Sequence, residues 1–206
     1  MTSHAAGATR LDEAPSAVAL SDTAQPRRID ITYLGVLLFI ASEAMFFAGL
    51  FAAYFNARAT HPLWPPPGVH PEILIPIVLT IVLLTSSFTM QLAVRRISRD
   101  DRVGMRRALI VTIALGIAFL AGQLFDYSTL GFSFASGPYG AAFFTLTGFH
   151  GAHVAAGVIA MSAMLARVAG GQFSARRHAA IEGVAAYWHF VDVIWLLVFS
   201  TIYLLH

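Results

Sequence analysis

Residues 31–56 have the sequence ITYLGVLLFIASEAMFFAGLFAAYFN, an apolar stretch whose single formal charge is on Glu43. A helix rises about 1.5 Å per residue, so about 20 residues cross the roughly 30 Å hydrocarbon core of a bilayer. This stretch is therefore long enough to span a membrane. Four more stretches of similar length and character follow, at residues 73–94, 108–127, 139–168 and 184–205.

The five stretches predict an all-α integral membrane bundle of five transmembrane helices. A backbone in lipid must satisfy its own hydrogen bonds, which a helix does within one segment. Barrel strands would instead alternate over about 10 residues. The chain is 57% hydrophobic and 12% charged, whereas soluble domains are about 45–50% apolar and about 25% charged. Residues 31–206 are thus predicted to form the transmembrane domain.

Residues 1–30 differ from the rest in composition. They are rich in Ala, Ser, Thr and Asp, include Pro15 and Pro26, and contain no apolar run of signal-peptide length. Asp12 and Glu13 also interrupt the basic start that a signal peptide has. We interpret this segment as a flexible cytoplasmic tail.

Arginine placement predicts the orientation. All 13 basic residues are Arg, and all but Arg58 lie in the tail, in the second connection, or within or at the edge of the fourth connection, which Arg167 bounds. Cytoplasmic loops carry an excess of Lys and Arg. The N-terminus is therefore predicted to be cytoplasmic and the C-terminus to lie outside. Because the arginines follow the membrane, nucleic-acid binding is not expected.

Several kinds of site are excluded by the residue types present. Cysteine is absent, which excludes disulfides and thiolate-held metal clusters. No nucleophile–base arrangement, phosphate loop or pair of catalytic carboxylates is evident. No metal site and no redox centre are predicted in this chain.

Ionisable residues within the spans are the candidate functional residues, because such groups are costly in lipid. They are Glu43, His150, His153, His189 and Asp192. At about 1.5 Å per residue, Glu43 and His150 each lie roughly 16–18 Å from an end of their spans. Both are expected near the bilayer middle, where a direct or water-mediated contact between them is possible.

Alternatives stay open for each candidate. The histidines could hydrogen-bond between packed helices, ligate a haem or metal from positions i and i+3, or contact lipid head groups or a partner. Glu43 is expected to be a neutral acid, since burial disfavours the charged form, and it could instead exchange protons or hold a head group. Glycines and alanines along residues 148–157 predict that the fourth span is central in the bundle.

Residues near the span ends suggest membrane-surface contacts. The arginine cluster between Arg95 and Arg107 could set topology alone or bind anionic lipid head groups. Trp64 is expected at the membrane interface. The residues with possible lipid or interface contacts are Trp64, Arg95, Arg96, Asp126, His178, Glu182 and Trp188.

Four motifs carry a resemblance to a known family. They are SEAMFFAGLFAAYF at 42–55, WPPPG at 64–68, TGFHGAHVAAG at 147–157 and YWHFVDVIW at 187–195. In this order they resemble subunit III of the haem–copper cytochrome c oxidases, in its short five-helix bacterial form. The resemblance extends from about residue 33 to the C-terminus.

The resemblance implies a non-redox subunit of a proton-translocating respiratory enzyme in the bacterial inner membrane. Such a subunit packs on subunit I of an assembly that also contains subunit II, while haem and copper lie in the partner subunits. It holds phospholipid and supports proton uptake and active-site stability as electrons pass from cytochrome c to oxygen. A larger respiratory supercomplex is a further possible partner.

The resemblance also implies roles for individual residues. Glu43 matches the buried carboxyl of the family that reacts with carbodiimides, and the membrane histidines and Asp192 match positions in its bundle. Gln123, Asp126 and Tyr127 resemble the pattern Q-x-x-E-Y, with Asp in place of Glu. His178 and Glu182 resemble a His/Glu spacing that the family has before its last helix.

Two other classes compete with this interpretation. The first is a related subunit of a quinol oxidase or an accessory subunit of nitric oxide reductase. The second is an unrelated small transporter or haem-binding membrane protein. Co-purifying subunits would distinguish all three.

Overall fold

The computed structural model describes residues 31–68, 72–169 and 179–205, and these residues form a helical bundle without strands. Its helices are α1 Ile31–Thr60, α2 Leu74–Ser98, α3 Arg102–Thr129, α4 Pro138–Ala169 and α5 Ala179–Phe199. A π-helical turn at Ser200–Leu204 extends α5. Each of the five helices is long and apolar enough to cross a membrane, which confirms the all-α, five-span prediction. The predicted tail lies outside the described residues, and the orientation of the termini stays a prediction.

The α2–α3 connection shows why hydropathy misplaces helix ends. α3 begins at Arg102 rather than near residue 108, because a helix continues into water beyond its apolar part. The Asp101 carboxylate caps α3 by accepting a 2.8 Å bond from the Gly104 amide, and Arg96 donates to the same carboxylate at 2.8 Å. The Gly104 amide and the Arg96 guanidinium hold the pKa of Asp101 below its usual value. A tight, charge-matched turn therefore joins α2 to α3.

The helices pack so that α5 is the most buried of the five. α2 and α3 pair along their length, α4 packs on α3, and α5 contacts α1, α2 and α4. The small residues of α4 predicted that α4 would be the central helix, and α4 does contact α1, α3 and α5. However, large side chains of α5 fill the centre of the bundle. The small residues of α4 leave room for these side chains to pack.

Trp188 of α5 is the clearest example of this packing. Its side chain is fully buried, and its indole nitrogen donates a 2.9 Å hydrogen bond to Ser86 Oγ on α2. A Cβ built at Gly157 would lie 2.6 Å from the ring, and one at Gly116 would lie 3.0 Å from it. Glycines on α3 and α4 therefore let both backbones approach the indole closely.

Candidate functional site

Glu43 of α1 and His153 of α4 form an ionisable pair within the membrane-spanning region. Glu43 Oε2 and His153 Nε2 are 2.8 Å apart, and the two side chains are 21% and 15% exposed. The rings of Phe46 and Phe47 flank the imidazole, with centroids 6.1 Å and 4.9 Å from it. The pair thus lies at the bundle surface, partly shielded by aromatic side chains.

Hydrogen bonding fixes how many protons this pair holds. His153 Nδ1 is 2.7 Å from the Phe149 carbonyl oxygen, and a carbonyl can only accept, so Nδ1 carries a proton. Nε2 then shares one proton with Glu43: either the acid donates to a neutral imidazole, or an imidazolium donates to a carboxylate. The geometry therefore requires a single proton between Glu43 and His153.

His150 makes no direct hydrogen bond to Glu43, which contacts His153 instead. His150 is fully buried against Phe119 and Trp195, with ring centroids 5.6 Å and 4.9 Å away. Neither ring nitrogen has a hydrogen-bond partner among the described residues. Depth along a helix fixes the level of a side chain but not its direction around the axis, and it is His153 that points towards α1.

His189 of α5 belongs to a second polar group, between α5 and α2. Its Nδ1 lies 2.6 Å from Ser87 Oγ and its Nε2 lies 3.3 Å from Gln91 Oε1. The side chain is 36% exposed, although polar groups at membrane depth usually face a protein interior or a water-filled cavity. His189 therefore presents a polar edge on the outer surface of the bundle.

Asp192 lies one turn beyond His189 and is 4% exposed. Its Oδ2 is 3.9 Å from His189 Nδ1, and neither oxygen has a hydrogen-bond partner among the described residues. His189 and Asp192, three residues apart on α5, thus form a loose ion pair. Val193 and Leu196 continue the exposed stripe of His189 along α5, at helical spacing.

Gln123 and Tyr127 of the Gln123–Tyr127 motif form hydrogen bonds with α4, whereas Asp126 lies elsewhere. Gln123 Nε2 donates to the Thr147 carbonyl at 2.8 Å and to Tyr127 Oη at 3.0 Å, while Tyr127 donates to Thr147 Oγ1 at 2.7 Å. These bonds join α3 to α4. Asp126 is not part of this network and lines a small cavity with Glu72 at one end of the bundle.

The remaining predicted contact residues lie at both ends of the bundle. Trp64 donates a 3.0 Å hydrogen bond to Tyr54 Oη, which fastens the Pro-rich connection to α1. Arg96 is engaged with Asp101, and Arg95 precedes it in the last turn of α2. Glu182 lies in the first turn of α5, where a helix favours an acid. His178 lies outside the described residues.

Ser87 and Gln91 are site residues that the sequence interpretation missed. Both belong to α2, and His189 contacts both. The signal was present, since a glutamine four residues after a serine puts two polar groups on one face of an apolar helix. The sequence interpretation considered only charged residues and histidines as candidates, and therefore omitted these two neutral side chains.

No three metal-ligating side chains come together in the part of the chain that the structure describes. His150 and His153 face different neighbours, and His189 is held by α2. The chemistry offered by these histidines is therefore proton sharing and polar contact between helices or with a neighbouring molecule.

Comparisons with known proteins agree with the motifs. The family model described as cytochrome c oxidase subunit III matches residues 24–206. The chain is 39% identical over 177 residues to "Cytochrome c oxidase subunit 3" of Thermostichus vulcanus, which covers 85% of this chain and 88% of that one. It is 40% identical over 198 residues to "Probable cytochrome c oxidase subunit 3" of Mycobacterium tuberculosis strain H37Rv, covering 91% and 98%.

A third relative is "Cytochrome c oxidase subunit 3" of Corynebacterium diphtheriae, 40% identical over 200 residues that cover 91% of this chain and 98% of that one. These relatives and the five apolar helices make the chain a multi-pass protein of the bacterial inner membrane. The resemblance drawn from the motifs is confirmed, and the chain belongs to the cytochrome c oxidase subunit III family.

Proposed function

We propose that this chain is a non-redox subunit of an aerobic cytochrome c oxidase and that it docks on subunit I. There it holds phospholipid and supports proton uptake and active-site stability during electron transfer from cytochrome c to oxygen. The family match over residues 24–206 carries this proposal. Haem and copper are assigned to the partner subunits, and subunit II is the expected second protein partner.

The polar edge on α5 and α2 supports docking within the membrane. His189 bonds to Ser87 and to Gln91 at the bundle surface, so both of its ring nitrogens have partners. The partly exposed Gln91 amide nitrogen has no hydrogen-bond acceptor among the described residues, and lipid would offer it none. A neighbouring protein helix with polar side chains would provide one. We assign this face to contact with a partner subunit of the oxidase.

The arginine-rich end of α3 supports phospholipid binding. A groove there is lined by Arg102, Arg106 and Arg107, with Val103 and Ile110 adjoining the basic residues. Arg102 lies 3.7 Å from Asp100, Arg107 lies close enough to Asp101 for its charge to act on that acid, and Arg106 forms no ion pair with a described residue. A lipid phosphate could pair with these guanidinium groups while an acyl chain follows the apolar residues.

Mild-detergent purification of the tagged chain tests the proposal. We expect a haem-containing subunit I and a subunit II to co-purify, and the preparation to oxidise cytochrome c with oxygen. Oxidation of quinol but not of cytochrome c would instead identify the quinol oxidase alternative, and nitric oxide reduction would identify the reductase accessory subunit. Recovery of the chain alone with its own haem would refute the assignment.

Replacing Glu43 with Gln should leave assembly and oxygen reduction largely intact. The glutamine amide can donate one hydrogen bond to His153 Nε2, as a neutral acid would, so the helix contact survives. Turnover and subunit content of the purified complex provide the measurement, with Glu43→Leu as the variant that removes the contact. Complete loss of turnover in Glu43→Gln with intact assembly would show an essential proton relay instead.

A further inference from the structure

A small polar cavity lies at the end of the bundle away from the arginine cluster, where α3 ends and α2 begins. It has a volume of about 160 Å³. Gly68 and Glu72 line it from the connection before α2, and Asp126 and residues 129–132 line it from the end of α3. A water molecule occupies roughly 30 Å³ in the liquid, so the cavity has room for a small ion with several waters.

Asp126 is a buried acid whose carboxylate has no partner among the described residues around this cavity. It is 4% exposed, and its carboxylate has no hydrogen bond or ion pair with any described residue. The nearby donors bond to its backbone instead, since Thr129 Oγ1 and the Leu130 amide both donate to the Asp126 carbonyl. A buried charge without a partner is costly, so the structure leaves this carboxylate to be satisfied by something else.

The surroundings of Asp126 are negative from two sources. Asp126 lies in the last turn of α3, where the helix dipole disfavours an anion, and that turn has no basic residue. Glu72 adds a second carboxylate to the same cavity, and it too has no hydrogen bond or ion pair among the described residues. Arginine does not line the cavity, so no described side chain balances the two acids.

From this arrangement we infer that Glu72 and Asp126 bind a hard divalent cation, with Ca²⁺ as the best match, at the end of α3. Ca²⁺ takes 6–8 oxygen ligands, and carboxylates, backbone carbonyls and water all serve. The last carbonyl groups of a helix have no partner within the helix, so the α3 terminus can add oxygens to the two carboxylates. The site goes beyond the proposed oxidase role and would fasten the start of α2 to the end of α3.

Ca²⁺ binding to the full chain tests this inference. The tagged chain is purified in mild detergent with the subunits that accompany it, washed with a chelator and dialysed against radioactive Ca²⁺. We expect Glu72→Gln and Asp126→Asn each to bind one ion fewer per chain, or to bind it at least about tenfold more weakly than the parent. Ca²⁺ should also raise the unfolding temperature of the parent more than that of either variant.

Asp100→Asn is the matched control, because it removes an exposed acid at the other end of α3. Asp100 has a φ of 58°, a conformation that asparagine tolerates, so this variant should bind Ca²⁺ like the parent. Glu72 is exposed, which makes Glu72→Gln informative even if Asp126→Asn assembles poorly. Equal ion number and affinity in the parent and Glu72→Gln would overturn the inference and favour a proton shared between the two acids.

Discussion

Replacing Gly157 with Ala is expected to destabilise the bundle by about 1–3 kcal/mol, the usual cost of adding a methyl group to a well-packed core. A Cβ at this position would lie 2.6 Å from Cε3 and 2.7 Å from Cζ3 of Trp188. The indole cannot move away freely, since Gly116 also lies close to the ring and Ser86 accepts its N–H. Thermal unfolding in detergent and the yield of assembled complex provide the measurement.

Gly148→Ala is the matched control for this prediction. Gly148 lies in the same helix, and a Cβ there would meet nothing within 4 Å. The control should therefore be neutral or stabilising by up to about 1 kcal/mol, from helix propensity alone. In addition, Trp188→Phe should offset part of the Gly157→Ala defect, because the smaller ring leaves room for the methyl group. Equal unfolding temperatures for the two alanine variants would contradict the packing argument.

The helical fold could be predicted from the sequence because a backbone in lipid must satisfy its own hydrogen bonds within each segment. Long apolar stretches must be helices, so the number and approximate location of the spans followed from composition along the chain. The helix ends did not follow, as α3 shows: Asp101 caps the helix through the Gly104 amide in a region that hydropathy does not mark. Caps and turns depend on local polar contacts rather than on the solvent.

The depth of the candidate residues in the membrane could be predicted from the sequence, but the direction in which each side chain points around its helix axis could not. About 1.5 Å of rise per residue brought Glu43 and His150 to a similar depth. His150 and His153 differ by about 60° around their helix axis, and that rotation decides which one meets Glu43. Rotation depends on packing against neighbouring helices, which a single sequence does not encode in any simple period.

The same limit applies to the Gln123–Tyr127 motif. The resemblance grouped Gln123, Asp126 and Tyr127 together, but residues three and four apart can face different neighbours. Gln123 and Tyr127 contact Thr147 on α4, whereas Asp126 lines the cavity with Glu72. A motif therefore identifies which residues to examine, and the packing of α3 decides what each one does.

Replacing His189 and Asp192 together with Leu is expected to weaken docking to the partner subunit more than it weakens the bundle itself. The double replacement removes the partly exposed imidazole of His189. It also removes the Asp192 carboxylate, which has no hydrogen-bond partner among the described residues. Deleting both members of a buried polar pair can be nearly neutral for folding, unlike deleting one. We expect a docking loss of about 1–2 kcal/mol, or roughly 5- to 30-fold less subunit I retained.

The measurement is the ratio of subunit I to this chain after a graded detergent wash, together with the unfolding temperature of the chain. His189→Gln is the control, because its amide can still bond to Ser87 and offer a polar group at the surface. Retention in this control should stay close to that of the parent. If the double leucine variant keeps subunit I through the same wash, the His189 edge faces lipid or water, and the docking face must lie on another side of the bundle.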